Sequence, residues 1–427
     1  MTDATTRSSS TASHPRAGRP QDPHDQVPAA PADNVAGPGA SGVPQPPVQT
    51  EEVVKGVSPL RLGLRQFRAH RSAMVGLWVL VVLYLVAVFA DFVAPYSRDN
   101  QVRELQWSPP THLHFSDENG SSWRPFIYPM RGFIDPNTFE IKQQEDRTKR
   151  AYMRFFVAGE PYNLLGLIPT RIRLFGFDEI KPIAESSADE QYFTRFYLLG
   201  SDITGRDIFS RICYGSRISM TIGLVGASIV FCIGMLVGGI SGYYVGFIDD
   251  LLMRACEMVM LLPGFYLLLM LRFIFPLDMD SRAVYFAIVL ILALVGWAGF
   301  ARVIRGMVRS IRSNDFVMAG EALGMTRGRI IIRHILPNTL SYAIVQVTLT
   351  IPAYILGESA LSILGLGITE PIPSWGNMLQ KAMDFAELQQ HPWVLWPGAF
   401  IFVAVIAFNL VGDGLRDAFD PRQRKRD

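Results

Sequence analysis

Cysteine and charge are both scarce in this chain of 427 residues. Its three cysteines, Cys213, Cys232 and Cys256, show no metal-ligand spacing, and an odd number closes no disulfide framework. They lie in or beside apolar runs, which indicates small buried side chains. Charged residues make up 18% of the chain and hydrophobic residues 49%, a balance too apolar for most soluble proteins.

The motifs of common enzymes are missing as well. The sequence has no G-x-x-x-x-G-K-[ST] phosphate cradle, so we do not expect this chain to bind ATP. It has no H-E-x-x-H helix and no G-x-S-x-G nucleophile elbow. No apolar h-region opens the chain, so we expect no cleavable signal peptide. We therefore predict no catalytic residue, bound metal or cofactor on this chain.

The N-terminal part changes from polar to apolar. Residues 1–57 are rich in Pro, Ala, Gly, Ser, Thr and Asp and cannot bury enough apolar area to offset the entropy of ordering. We predict a disordered cytoplasmic tail there. Residues 58–95 comprise an arginine-rich amphipathic lead-in and a first transmembrane helix at 73–90. Because the arginines precede the helix, the positive-inside rule places that side in the cytoplasm.

Residues 96–214 contain no spanning run. Stretches such as RPFIYP and MRFFV, separated by Gly and Pro, indicate short strands. The first membrane helix would leave this segment outside the cell. We therefore predict an extracytoplasmic domain, α+β or mainly β, inserted between the first two membrane helices.

Five further membrane helices are predicted within residues 215–418. Their approximate ranges are 219–246, 252–275, 283–303, 340–364 and 394–412. Pro263 and Pro352 should interrupt the second and fourth of these. Seven arginines within 302–333 and a basic tail at 419–427 place both termini in the cytoplasm.

Small and polar residues mark faces of these helices. Glycines that recur every four residues predict a close-packing face: Gly234, Gly238, Gly242 and Gly246. Four polar residues lie in or beside the spans: Glu257, Glu358, Asn409 and Asp413. A carboxyl group in hydrocarbon must be paired, neutralised or wet, so these groups should line the pathway or pack helices together. A proton path through the carboxylates is the alternative.

Residues 311–337 form an arginine-rich stretch between two spans, for which we predict a helical hairpin. An apolar stripe on its first helix comprises Met318, Ala319, Ala322 and Leu323. Gly324 should end that helix in the left-handed conformation. Thr326 should cap the second helix through its hydroxyl, and Pro337 should close it. The positive-inside rule places this hairpin in the cytoplasm.

Residues from about 58 to 427 carry a resemblance to a known family, and the matches are closest at 199–219, 318–337, 356–378 and 409–422. Residues 199–219 resemble the stretch before the second helix in C-type permease subunits of dipeptide and oligopeptide ABC importers. The matching residues include Asp202, Gly205, Arg206, Asp207, Arg211, Gly215 and Arg217. The four charged residues from Asp202 to Arg211 could form a local ion-pair network. Residues 311–337 resemble the coupling loop of such permeases through Gly324 and the Leu336-Pro337 pair. The family's Glu-Ala-Ala is replaced by Met318, Ala319 and Gly320.

The resemblance implies an all-α polytopic membrane protein with six helices of the type I ABC importer permease kind. It implies a bacterial plasma (inner) membrane permease that imports di- or oligopeptides and forms half of a pathway with a second homologous permease. Two cytoplasmic ATPases would use ATP, an extracytoplasmic solute-binding protein would deliver the solute, and membrane lipid but no nucleic acid would be bound. The implied ATPase-coupling residues are Met318, Ala319, Glu321, Ala322, Leu323, Gly324, Met325, Leu336 and Pro337.

Three other functions remain open. Related importers carry nickel or oligosaccharides. A secondary transporter or channel would need no ATPase, but such folds usually repeat their broken helices in matching halves, and the surroundings of Pro263 and Pro352 do not repeat. A receptor or enzyme anchored by six spans is disfavoured, because the outer segment shows no catalytic set.

Overall fold

A computed structural model describes residues 59–117, 120–134, 141–178, 191–276 and 279–419. All of them belong to one unit, Val57–Asp427. The predicted tail at 1–57 lies outside the described residues, and so does the predicted tail at 419–427 apart from its first residue.

Helices make up most of the described chain. The longer ones are α1 (Pro59–Ala69), α2 (Arg71–Val88), α4 (Ile208–Tyr243), α5 (Phe247–Leu261), α6 (Gly264–Ile274), α7 (Ser281–Arg312), α8 (Asp315–Ala322), α10 (Leu336–Ile363) and α13 (Trp396–Phe419). The short ones are α3 (Ala90–Val93), α9 (Arg327–Ile330), α11 (Trp375–Leu379) and α12 (Phe385–Gln390).

Among the described residues, five helices are long and apolar enough to cross a membrane, and the bent pair α5–α6 would make a sixth. The two helices of that pair meet at an angle of 93° beside Pro263. The proline predicted to interrupt this span therefore coincides with a sharp bend, as expected where a backbone N–H is missing. Pro352 behaves differently, because α10 continues through it without a break, and that part of the prediction is wrong.

The helix that begins at Ile208 starts well before its predicted start at 219. Asp207 is its N-cap residue, and the carboxylate accepts a hydrogen bond of 2.8 Å from the backbone N–H of Ser210. The first turns of α4 thus belong to the segment 199–219, which the resemblance placed before the second helix. The boundary that the sequence placed between residues 214 and 215 falls inside this helix.

The predicted glycine stripe on α4 packs against α7. A Cβ atom at Gly234 would lie 2.3 Å from the ring of Phe300, and one at Gly238 would lie 2.5 Å from the carbonyl oxygen of Ala301. A Cβ atom at Gly242 would lie 2.7 Å from the carbonyl oxygen of Arg305, which is also on α7. Gly246 does not share this contact, since it precedes α5 with a φ of +105° and open space around it.

The described residues between α3 and α4 form seven strands, in the segment where the sequence indicated short strands. They are β1 (His114–Asp117), β2 (Gly120–Ile127), β3 (Met130–Ile134), β4 (Ile141–Glu145), β5 (Ala151–Leu164), β6 (Ile168–Phe177) and β7 (Gln191–Phe193). One sheet has the order β1-β2-β5-β6 and the other β4-β3-β7, with all pairs antiparallel. The longest pair, β5–β6, forms a ribbon that we call the long hairpin.

Contacts along the helices define two ends of the bundle. At the strand end, where α2 and α10 end and α4 begins, Glu358 of α10 lies against Ser219 of α4. The opposite end is called the hairpin end after the helical hairpin at 311–337. There α4 and α7 end, α10 begins, and Leu336 of α10 packs on Gly239 of α4. Both ends carry polar clusters, and these are the candidate functional features.

Candidate functional site

The helical hairpin at 311–337 divides its apolar residues between two faces. Val317 is 1% exposed and Ile330 is fully buried, so these two residues fix the hairpin to the core. Met318 is 52% exposed and Leu323 is 83% exposed, and Ala319 and Ala322 are exposed beside them. We call these four residues the apolar stripe. The stripe that the sequence predicted therefore faces away from this chain.

The turn of the hairpin depends on a glycine, as predicted. Gly324 has a φ of +75°, in the left-handed region that side chains disfavour. Two other details of the prediction are wrong. Thr326 occupies the N-cap position of α9 but makes no side-chain capping hydrogen bond. Pro337 does not end a helix: it lies in the first turn of α10, where a missing N–H costs nothing.

An aromatic and ionic contact holds the hairpin to α4. The hydroxyl of Tyr243 donates a hydrogen bond of 2.6 Å to the carboxylate of Glu321. The guanidinium of Arg312 lies 5.2 Å from the centre of the Tyr243 ring, and that of Arg327 lies 5.7 Å from the centre of the Tyr244 ring. Glu321 is thus engaged within the chain, an arrangement that sequence spacing did not indicate.

The other residues singled out in the hairpin are internal or peripheral. Met325 is half-buried, and its sulfur would lie 3.5 Å from a Cβ atom at Gly320. Leu336 is half-buried against α4, and Pro337 is exposed. Of the nine residues predicted to couple the chain to an ATPase, the four of the stripe thus form a group that is both apolar and exposed on one short segment.

At the strand end, a charge network forms around Arg211, which is 3% exposed. The carboxylate of Asp202 lies 2.8 Å from the guanidinium of Arg206 and 3.2 Å from that of Arg211. Glu370 completes the network at 2.8 Å from Arg206 and 2.6 Å from Arg211. The sequence predicted the first three residues together. It missed Glu370, which lies far away in the chain and is brought in by the loop after α10.

The network lines a cavity of about 370 Å³, with Trp107, Thr369 and Lys381 among its other walls. Burial opposes the ionisation of Asp202, but the charges of Arg211 and Arg206 outweigh it and hold its pKa below the usual range. Burial also opposes the ionisation of Glu370, but the charge of Arg211 outweighs it, and the pKa of Glu370 is lowered. Both carboxylates are therefore ionised at neutral pH, and their attraction to the arginines is lost only in acid.

Asp207 does not belong to this network, which corrects the prediction. Its carboxylate accepts hydrogen bonds from the backbone N–H and the hydroxyl of Ser210, at 2.8 and 2.6 Å. Its other oxygen, Oδ1, is buried without a hydrogen-bond partner among the described residues. Burial raises the pKa of Asp207 to about 7. Two aspartates five positions apart are thus shifted in opposite directions by their surroundings.

Replacing Asp207 by asparagine should remove one source of pH dependence from the stability of the fold. The pKa of Asp207 is about 4 in the unfolded chain and about 7 in the folded chain. At a pH between these two values, folding takes up a proton at Asp207, so the native chain loses stability as the pH rises. The asparagine side chain would still accept the hydrogen bond from Ser210 but would carry no charge. The melting temperature of D207N relative to the native chain should therefore rise between about pH 4 and pH 7 and level off above. A difference that stays constant over this interval would contradict the assignment.

The remaining matched residues before and within α4 have packing roles. Gly205 has a φ of +73°, and a Cβ atom there would lie 1.8 Å from the carbonyl oxygen of Val102. Gly215 lies against Trp375, which is fully buried. Arg217 binds the carboxylate of Asp91 at 2.6 Å and the carbonyl oxygen of Ala87 at 2.7 Å. Arg217 therefore ties α4 to the end of α2.

The four polar residues predicted in the spans do not come together. Glu358 is fully buried and accepts a 2.7 Å hydrogen bond from Ser362 and a longer one from Ser219. The Ser219 hydroxyl also accepts from the backbone N–H of Trp375, so Glu358 belongs to a packing junction of α4, α10 and α11. Glu257 pairs with Arg254 at 3.1 Å. Asn409 and Asp413 are exposed on one face of α13.

A second ionic cluster, at the hairpin end, was not predicted. The Asp249 side chain is 5% exposed, and its two oxygens each lie 2.5 Å from a guanidinium nitrogen of Arg305. The Ser241 hydroxyl donates to the same carboxylate at 2.5 Å. This cluster joins α4, α5 and α7 beside the hairpin. Within the described ranges, no group of three or more His, Cys, Asp or Glu residues could hold a metal ion.

Two family models match this chain. Residues 234–425 match the family of binding-protein-dependent transport system inner membrane components, and residues 58–110 match the N-terminal TM domain of oligopeptide transport permease C. Among solved structures, the chain is similar to an inward-facing methionine ABC transporter at 16% identity, over 49% of this chain and 97% of that one, with a TM-score of 0.38.

Two peptide permeases match this chain over about half of its length and over more than two thirds of their own length. The dipeptide transport system permease protein DppC of Bacillus subtilis is 41% identical over 227 residues, which are 53% of this chain and 69% of the relative. The oligopeptide transport system permease protein OppC of Haemophilus influenzae is 38% identical over 230 residues, 54% and 71% of the two chains. The chain therefore belongs to the family of binding-protein-dependent transport system inner membrane components that includes the dipeptide and oligopeptide permeases.

Proposed function

We propose that this chain is the permease subunit of an ATP-driven peptide importer and forms half of its translocation pathway. Family membership supports a permease, and the names of its relatives support peptides as the cargo. The observation that carries the coupling role is the outward-facing apolar stripe on a hairpin whose other face is fixed to the core.

The stripe has the chemistry of a docking surface. It is apolar, exposed and placed on a short helix, α8, and such a helix binds best by lying in an apolar groove of a partner. Arginines flank it in the sequence, among them Arg312, Arg327 and Arg329. We assign the groove to a cytoplasmic ATPase subunit, since this chain contains no phosphate cradle of its own.

Movement of the docked hairpin would reach the membrane helices through rigid links. The hydrogen bond between Glu321 and Tyr243 connects α8 to the end of α4, and the α4 glycines connect α4 to α7. On the other side, α9 runs without interruption through a π-helical turn into α10. Coupling between two sites requires an element that both can bias, and this assembly of α4, α7, α8 and α10 would supply it.

The proposal includes the partners and the orientation. A second homologous permease would complete the pathway, two ATPases would bind at the hairpin end, and a solute-binding protein would deliver peptides at the strand end. The hairpin end, with both chain termini, would then lie in the cytoplasm of a bacterial cell, and the strands would form an extracytoplasmic insertion. Nickel and oligosaccharides are the alternative cargoes.

Purification and reconstitution test this function. The tagged chain should co-purify with its ATPases and a second permease, and liposomes containing the full complex should accumulate labelled peptide only with ATP and the binding protein. Uptake by the chain alone would identify a channel or secondary transporter and overturn the proposal. A complex that hydrolyses ATP in response to nickel or an oligosaccharide, and not to any peptide, would retain the mechanism but refute the peptide assignment.

A further inference from the structure

The long hairpin carries an unusual number of exposed apolar side chains. Around its turn, Leu165 is 52% exposed, Leu167 is 83% exposed and Ile168 is 58% exposed. Nearer its base, Phe155 and Phe156 are 65% and 66% exposed. Exposed apolar side chains in water favour aggregation, so two groups of them on one strand pair indicate apolar surroundings.

The turn of the long hairpin lies level with the end of the first membrane helix. Asn163, Leu165 and Gly166 line one cavity of about 980 Å³ together with Asp91 and Arg217. Arg217 in turn binds the carbonyl oxygens of Ala87 and Val88, the last residues of α2. An α2 of 18 residues is about 27 Å long, close to the thickness of the hydrocarbon core. The turn of the long hairpin therefore lies where α2 would leave the membrane.

The exposed apolar surface of α2 continues onto the long hairpin. Val82, Leu85 and Val88 are 55%, 51% and 44% exposed on that helix. Just beyond it, the Phe92 ring lies 6.2 Å from the ring of Phe156 in β5. The base of the ribbon is fixed there too, because the guanidinium of Arg173 donates a 2.7 Å hydrogen bond to the carbonyl oxygen of Ala94. The apolar surface thus runs from a membrane span to the strands.

Cationic groups accompany the apolar ones. Arg98 and Arg282 line the same cavity as Leu165, and its other walls include the rings of Tyr84, Tyr285 and Phe286. The Arg282 side chain is exposed and makes no ion pair with any residue in the described part of the chain. Aromatic rings and arginines at one level are typical of the boundary between lipid headgroups and acyl chains.

We propose that the turn of the long hairpin, from Leu165 to Ile168, inserts into the lipid leaflet at the strand end of the bundle. Its apolar side chains would lie among the acyl chains, and Arg98 and Arg282 would bind lipid phosphate. The long hairpin would thereby hold the strands at a set distance above the membrane spans.

Site-specific fluorescence tests this insertion. In a Cys232→Ser background, where the other cysteines are buried, Leu167→Cys is labelled with an environment-sensitive fluorophore in nanodiscs of a phosphatidylcholine and phosphatidylglycerol mixture. Trp123→Cys is the matched control, because Trp123 is 98% exposed on β2. We expect blue-shifted emission at position 167, quenched several-fold more strongly by doxyl-labelled lipid than at position 123. Ile168→Cys serves as the second reporter, should the first variant assemble poorly.

Two results would overturn the proposal. Emission at positions 167 and 168 as red-shifted and unquenched as at position 123 would place the turn in water. Blue-shifted emission that doxyl lipid leaves unquenched, in the chain alone or with its partner subunits, would show that protein covers the turn. Neither result bears on peptide import, so the failure of this inference would leave the proposed function standing.

Discussion

Introducing an aspartate into the apolar stripe is expected to abolish ATP-dependent uptake while leaving the permease folded. Leu323→Asp and Ala322→Asp change side chains that are exposed in this chain, so the fold should lose little stability. In a docked complex the new carboxylate would be buried without a partner. Loss of such an anchor costs about 2 kcal/mol or more, or roughly thirty-fold weaker association. Uptake of peptide and co-purification of the ATPase measure the effect.

Two control variants define what this experiment shows. Leu323→Met keeps the apolar volume and should support normal uptake. Phe385→Asp places the same charge on a side chain that is 77% exposed at the strand end, and it should leave the ATPase bound. Normal uptake by both stripe variants would refute docking through α8. Loss of uptake with full ATPase binding would instead show that the stripe transmits movement but is not needed to bind the ATPase. That result would point to the hydrogen bond between Glu321 and Tyr243.

Replacing Arg305 by methionine is expected to produce a large loss of stability. Arg305 supplies two 2.5 Å contacts to the nearly buried carboxylate of Asp249. Without it, Asp249 retains Ser241 and a distant Arg309 at 3.8 Å. Removing one partner of a buried pair typically costs about 3–5 kcal/mol, because the remaining charge is uncompensated. A clear fall in the melting temperature of the purified chain should follow.

A double variant distinguishes the charge from the side-chain volume. Asp249→Asn with Arg305→Met removes both charges and should recover part of the loss, as a double-mutant cycle would report. Arg309→Met is the matched control, since its side chain is 53% exposed and its contribution should be below about 1 kcal/mol. Equal melting temperatures for the Arg305 and Arg309 variants would contradict a special role for the Asp249–Arg305 pair.

The membrane helices followed from local sequence, with errors at their ends. Runs of apolar residues predicted each span, because hydrocarbon demands them whatever the neighbours are. The start of α4 was misplaced because its first turns are polar and pack against protein, including Trp375, instead of lipid. Pro352 was misjudged for a related reason: neighbouring helices bury it and keep α10 continuous. Proline alone does not reveal whether its surroundings compensate for the missing hydrogen bond.

The site was predictable where it depends on nearby residues. The stripe on α8 and the left-handed Gly324 follow from helical spacing and from steric limits on φ. The Asp202–Arg206 pair is likewise four residues apart. Glu370, the Tyr243–Glu321 hydrogen bond and the Asp249–Arg305 pair join residues distant in the chain, and no periodicity signals such contacts.

Two features follow from the amino-acid sequence: this chain crosses a membrane, and an arginine-rich hairpin with one apolar face lies between two of its spans. Both are consequences of composition and short-range spacing, which act on each segment independently. The packing of the helices was needed to show which charges pair, why Asp207 caps a helix while Asp202 joins arginines, and where the long hairpin lies. Those outcomes depend on burial and on the distance between side chains, and both arise only when separate helices pack together.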